Sequence, residues 1–189
     1  KLHIPTISTA ESVELIREAK KKKLDVTCSV AIHNLLFSDE VLSDFDTVYK
    51  VNPPLRTQKD IEALIEGVKD GTIDMVTSDH NPVTIEDKKV EFEQAAYGTI
   101  GLESAFGALQ TLFSTKKTIG LLTKGKSRFG LENSSLNIGE LANLTLFNPD
   151  TKYTFSEEHI VSKSKNSLFL NTDLKGTVYG IIANKKLSL

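Results

Sequence analysis

Residues 57–80, TQKDIEALIEGVKDGTIDMVTSDH, hold the alternation that decides the fold. Thr57 and Asp60 have the spacing of a helix N-cap, Ile61, Leu64, Ile65 and Val68 recur on one helical face, and Gly71 is a stop signal. The run IDMVTSD (73–79) then reads as a strand, apolar enough to be covered on both faces. That strand ends in Asp79-His80, and Asn81-Pro82 forces a turn. A carboxylate at such a place is costly to bury unless something pairs with it.

The same alternation continues on either side. LHIPTI (2–7) reads as a short strand with Pro5 at its end. Ser8 and Glu11 have capping-box spacing for a helix whose apolar face is Val13, Leu15 and Ile16, and whose end carries the solvated run Lys20 to Lys23. LDVTCSV (24–30) reads as a buried strand with Cys28 as a small core residue. VYKV (48–51) reads as a brief strand running into the proline-fixed loop NPPLR (52–56). Beyond Asp79, EDKKVEFE (86–93) reads as a charged loop and LESAFGALQTLF (102–113) as an apolar helix. The pattern predicts an α/β fold, a parallel sheet or barrel over residues 1–137 with about four strand–helix units. From 138 to 189 no long helix intervenes between strand-like runs such as ANLTLFNPD (142–150) and GTVYGIIANKKLSL (176–189), which predicts a small β segment.

Bulk properties exclude several classes of function. With 23 Lys and Arg against 25 Asp and Glu, the chain lacks the basic footprint of a nucleic-acid binder. Its single cysteine, Cys28, excludes an internal disulfide, and no apolar run approaches the roughly 18 residues of a membrane span, so the cytoplasm is the expected compartment. The chain opens on Lys1-Leu2-His3 and reads as a portion of something longer. With no tryptophan and 7% aromatic residues there is no platform for a carbohydrate-binding module.

In a parallel α/β barrel, functional groups stand on the loops after the strands. His33, Asn52, Arg56, Asp79 and His80 all fall at such places. Each also has a structural reading: a strand-end aspartate often caps a turn, and His33 alone reads as a hydrogen-bonded histidine under a loop. His159 lies apart, in the β segment. The glycine-rich YGTIGLES (97–104) lacks both the P-loop lysine and the dinucleotide fingerprint, and no nucleophile elbow is present.

Several motifs in order make the reading specific: IST (7–9), the run from VNPPLR (51–56) through TSDHNP (77–82), EFEQAAYGTIGLESAFGAL (91–109), ANLTLFNPD (142–150) and SKSKNSLF (162–169). Along nearly its whole length the chain resembles the C-terminal half of a dihydroorotase, one of the cyclic amidohydrolases. The resemblance implies the last βα units of a TIM-type (β/α)8 metal-dependent hydrolase barrel in 1–137. It also implies that 138–189 is the C-terminal part of a composite β-sandwich domain. It implies a zinc centre interconverting carbamoyl aspartate and dihydroorotate in pyrimidine synthesis, with Asp79 as the catalytic, metal-binding carboxylate and Asn52 against the substrate ring. On that pattern the partner of Asp79 is the metal and its hydroxide.

Two positions depart from the pattern. The histidine metal ligand expected just before the IST-like stretch is Thr6, and the histidine that holds the substrate carboxylate is Val83. The remaining metal ligands of the family would precede Lys1. Two functions stay open on this reading: a dihydroorotase-like enzyme with an eroded site, or a catalytically silent homologue that acts as a homodimer or as a structural partner of aspartate transcarbamoylase. About half of the barrel is covered, so the chain is not expected to close one by itself.

Overall fold

The computed structural model describes residues 1–131 and 136–189. The expected first unit, 1–137, therefore includes four residues that lie outside the described ones. Three parallel strands, β1 (Leu2–Ile4), β2 (Val26–Ala31) and β3 (Met75–Thr77), form one sheet with β2 in the centre. The register pairs Ile4 with Cys28 on one side and Ala31 with Thr77 on the other, so the carboxyl ends of all three strands stand at one rim. β2 is buried along nearly its full length, as its β-branched apolar sequence requires of a strand covered on both faces.

Two amphipathic helices cover the sheet. α1 (Ala10–Lys21) is capped by Thr9, which accepts from the Ser12 amide, not by Ser8; the expected Ser8–Glu11 box is one residue out of register. α2 (Gln58–Asp70) begins and ends where its sequence predicts: Thr57 accepts from the Asp60 amide, and Gly71 adopts the left-handed conformation at φ +85°. Asp60 also reaches back to accept from the Ala10 amide at 2.9 Å, tying the start of α2 to the start of α1. The helices approach closely at Gly67, where an added Cβ would stand 2.9 Å from Val13. Removing the cap with Thr57→Ala is expected to cost about 1 kcal/mol. The check is a lowered unfolding midpoint at unchanged denaturant slope.

α3 (Leu102–Leu112), α4 (Thr115–Thr123) and the short α5 (Gly125–Arg128) follow. An antiparallel sheet then runs in the order β4 (Leu144–Thr154), β5 (Asp173–Ala183) and β6 (Lys186–Ser188). The expected β segment is thus a single three-stranded sheet among the described residues. It packs on α3 through Phe106 and Phe147, whose rings lie 4.9 Å apart, and through Gly107, where a Cβ would meet the Tyr153 hydroxyl at 2.5 Å. Phe155, Leu168, Phe169 and Leu174 from this part share one hydrophobic cluster with Val13, Val30, Leu64 and Leu109. Aromatic burial of this kind is worth several kcal/mol per ring, so one core spans both sheets.

One sequence expectation is corrected here. VYKV is not a strand: Thr47–Tyr49 form a 3-10 turn opened by Asp46, whose carboxylate accepts from the Val48 amide. Four strand–helix units reduce accordingly to three parallel strands among the described residues. Residues 86–93 are a loop, as expected, but not all of their charge is solvated. Lys88 is buried, its ammonium donating to the carbonyls of Thr47 and Lys50, while Lys50 is buried in turn and donates to those of Phe92 and Glu93. Burial, with Lys50 nearby, pushes the Lys88 ammonium down to about 8. These carbonyl contacts satisfy the buried donors and fasten the turn at 47–50 to the loop at 86–93, a pairing that spans some forty residues and has no local signature.

Candidate functional site

Thr6, His33 and Asp79 each follow the carboxyl end of one of the three adjacent parallel strands. Thr6 stands in the left-handed region at φ +45°, and its amide donates to the Ser29 hydroxyl of β2. His33 lies in a 3-10 turn directly after β2 and is fully buried. Asp79, also left-handed at φ +48°, has its amide held by the Thr77 hydroxyl at 3.1 Å. That conformation costs a non-glycine residue of order 1 kcal/mol or more and persists because the loop around it is pinned.

The carboxylate of Asp79 does not cap a helix. Among the described residues its near polar neighbour is His33, with Nε2 3.9 Å from Oδ2, too long for a hydrogen bond. Burial alone pushes the Asp79 carboxyl above its ordinary range and lowers the His33 imidazole to about 4. Among the described residues neither buried ring nitrogen of His33 has a hydrogen-bond partner, a costly arrangement for a group with one donor and one acceptor. The expectation that His33 is hydrogen-bonded under a loop is therefore corrected.

The loop carrying Asn52 is tied to the same place. Asn34, next to His33, donates to the carbonyl of Pro54 at 3.2 Å, and Arg56 donates through Nε to Ser8 at 3.3 Å. Val51 and Leu55 are buried on either side of Asn52, which is itself exposed. The loop that carries Asn52 is thus joined through Pro54 to the turn after β2, whereas Arg56 is used to hold two loops together. Val83 lies elsewhere: it lines a groove of about 910 Å³ with Pro82, Ile85, Lys163 and Leu170, and its carbonyl accepts from Ser164. Thr6, His33, Asn52 and Asp79 are not part of that groove's wall.

His80 turns away from Asp79. Its Nδ1 accepts from the amides of Gly101 and Leu102 at 3.2 and 3.3 Å, and lies 4.0 Å from a carboxylate oxygen of Glu103. Glu103 accepts from the Ser162 amide through its other oxygen. Asn34 lies in no quoted motif, and Glu103 lies inside the stretch 91–109 without a role assigned from sequence; only their neighbours in space single them out. The glycines of 97–104 allow close backbone approach. A Cβ on Gly101 would lie 2.2 Å from the Ser78 carbonyl, and one on Gly98 would lie 2.6 Å from that of Asn81.

The donors on this rim do not make a zinc site by themselves. Asp79 offers a carboxylate, Thr6 a neutral hydroxyl that is a poor zinc ligand, and no three His, Cys, Asp or Glu side chains converge among the described residues. No described helix is long and apolar enough to cross a membrane.

Comparison with known proteins bears on this geometry. No family model matches the chain. It is 42% identical over 184 residues to a dihydroorotase of a Thermoanaerobacter species, covering 94% of this chain and 43% of that relative. To a dihydroorotase of Caldicellulosiruptor saccharolyticus it is 45% identical over 193 residues, covering 98% and 45%. In fold it resembles the crystal structure of dihydropyrimidinase from Brevibacillus agri NCHU1002, with a TM-score of 0.86 at 22% identity over 99% of this chain and 44% of that one. It also resembles the inactive dihydroorotase-like domain of a Chaetomium thermophilum CAD-like multifunctional protein, with a TM-score of 0.68 at 21% identity over 99% and 50%. The chain spans less than half the length of these curated relatives. Its identity to them is spread over nearly all its residues, and its α/β fold matches cyclic amidohydrolase structures throughout, so the chain belongs to the dihydroorotase family.

Proposed function

We propose that this chain supplies one side of a dihydroorotase-like cyclic amidohydrolase site, acting in the reversible closure of carbamoyl aspartate to dihydroorotate, and that this site is eroded. The observation that supports the reading is the placement of Asp79: a half-buried carboxylate with no hydrogen bond among the described residues, held in left-handed geometry at the rim of a parallel sheet. In this reading Asp79 is the metal-facing and proton-carrying residue and Asn52 lies against the substrate ring. The three strands are the last βα units of a TIM-type barrel, completed by residues of the full-length protein. Residues 138–189 join a composite β domain, and the cytoplasm is its compartment.

Thr6 and Val83 favour a second reading, in which the protein is a silent homologue that acts as a structural partner, as a homodimer or with aspartate transcarbamoylase. Zinc analysis and a dihydroorotate hydrolysis assay on the full-length protein separate the two. The enzyme reading expects bound zinc and turnover at least a hundredfold below that of an intact-site relative, raised by Thr6→His with Val83→His. A metal-free, inactive protein that stabilises a transcarbamoylase supports the partner reading, and full unmodified turnover removes the idea of erosion.

A further inference from the structure

The two residues of the Asp79-His80 pair face in different directions. α3 begins at Leu102 after Gly101, which has no side chain to cap the helix. The first amides of a helix need acceptors. His80 provides one from outside the helix: its Nδ1 takes both the Gly101 and the Leu102 N–H. Two donors converging on Nδ1 require that this nitrogen be unprotonated, so the ring hydrogen is on Nε2. The contact joins residues 21 and 22 positions apart and fastens the loop after β3 to the start of a helix whose far face is anchored in the core by Ala108 and Leu109. Gly101 and Gly98 bring the two backbones together beneath it, against Ser78 and Asn81.

We infer that His80 is a positioning residue: it holds Asp79 at the rim by serving as the N-terminal cap of α3. This rests on the reading of Asp79 as the functional carboxylate. The Asp79 backbone is in a costly conformation, and among the described residues its amide has only the Thr77 hydroxyl to hold it, so the adjacent residue decides whether the conformation persists.

The test uses three variants of the full-length protein. In His80→Asn the side-chain oxygen falls where Nδ1 was; in His80→Gln it falls one carbon further out; His80→Leu has no acceptor. Amide hydrogen exchange is read on peptides covering 78–82 and 100–104. His80→Asn is expected to stay within about threefold of the parent in both peptides, while His80→Gln and His80→Leu exchange at least tenfold faster in both. Faster exchange in 100–104 with the Asp79 peptide unmoved makes His80 a helix cap alone and overturns the proposal. So does a His80→Asn protein that behaves like His80→Leu. The measurement needs no turnover, so an inactive protein leaves it interpretable.

Discussion

Gly101→Ala is expected to destabilise the protein by about 3 kcal/mol or more, one of the largest effects open to a single methyl group here. At φ −147° Gly101 is not in the left-handed region that favours glycine, so the cost expected here is steric. It arises because the new Cβ would stand 2.2 Å from the carbonyl oxygen of Ser78, a backbone atom that has no rotamer to escape into. Either the loop 78–81 or the start of α3 must move, and with it the His80 contacts. Gly71→Ala is the control. Its site is open space and only φ +85° opposes a side chain, so about 1 kcal/mol is expected. Urea midpoints at constant slope measure both; equal losses at the two positions would mean that the close approach is not real.

Acidification from pH 6.5 to 4 is expected to remove about 3 kcal/mol of stability through His33 alone. Buried and unpartnered, its imidazole is lowered to about 4, whereas in the unfolded chain it titrates near 6.5. Between these values the unfolded state binds the proton and the folded state does not, so stability falls as pH falls through that window and is intact above it. Each unit is worth about 1.4 kcal/mol. Asp79 works in the opposite sense at the acid end, because burial raises its folded value and the folded state takes up its proton first. His3, lowered mainly by burial, adds to the loss. The contribution of His33 is isolated by subtracting the profile of His33→Leu, which keeps the volume and loses the proton. A difference curve that is flat from pH 6.5 to 4 would show that His33 is solvated or paired in the folded protein.

These two positions also show how far the sequence could be read. Gly101 stands out in sequence as part of a glycine-rich run, but the run by itself suggests turns or phosphates as readily as a backbone crossing. His33 is visible at a strand end, yet nothing within ten residues of it predicts burial beside Asp79, 46 positions away. The strand–helix alternation is different in kind. α2 from its Thr57 cap to Gly71, the buried β2 and the apolar face of α1 all follow from periodicities and capping chemistry inside windows of fifteen residues.

What the sequence determined by itself was therefore the parallel α/β character, the β-stranded end of the chain and, through several motifs in order, the family. The tertiary structure alone decided that 47–49 turns instead of extending, and that Lys88 is buried on carbonyl oxygens. It also tied the loop that carries Asn52 to the turn after β2 that lies near Asp79, and set His80 against the start of α3. The reason is physical. Propensity and amphipathic period act between near neighbours and leave a local trace. The partners of a buried ammonium, an unpaired imidazole or an uncapped helix are set by which distant backbones the core brings together.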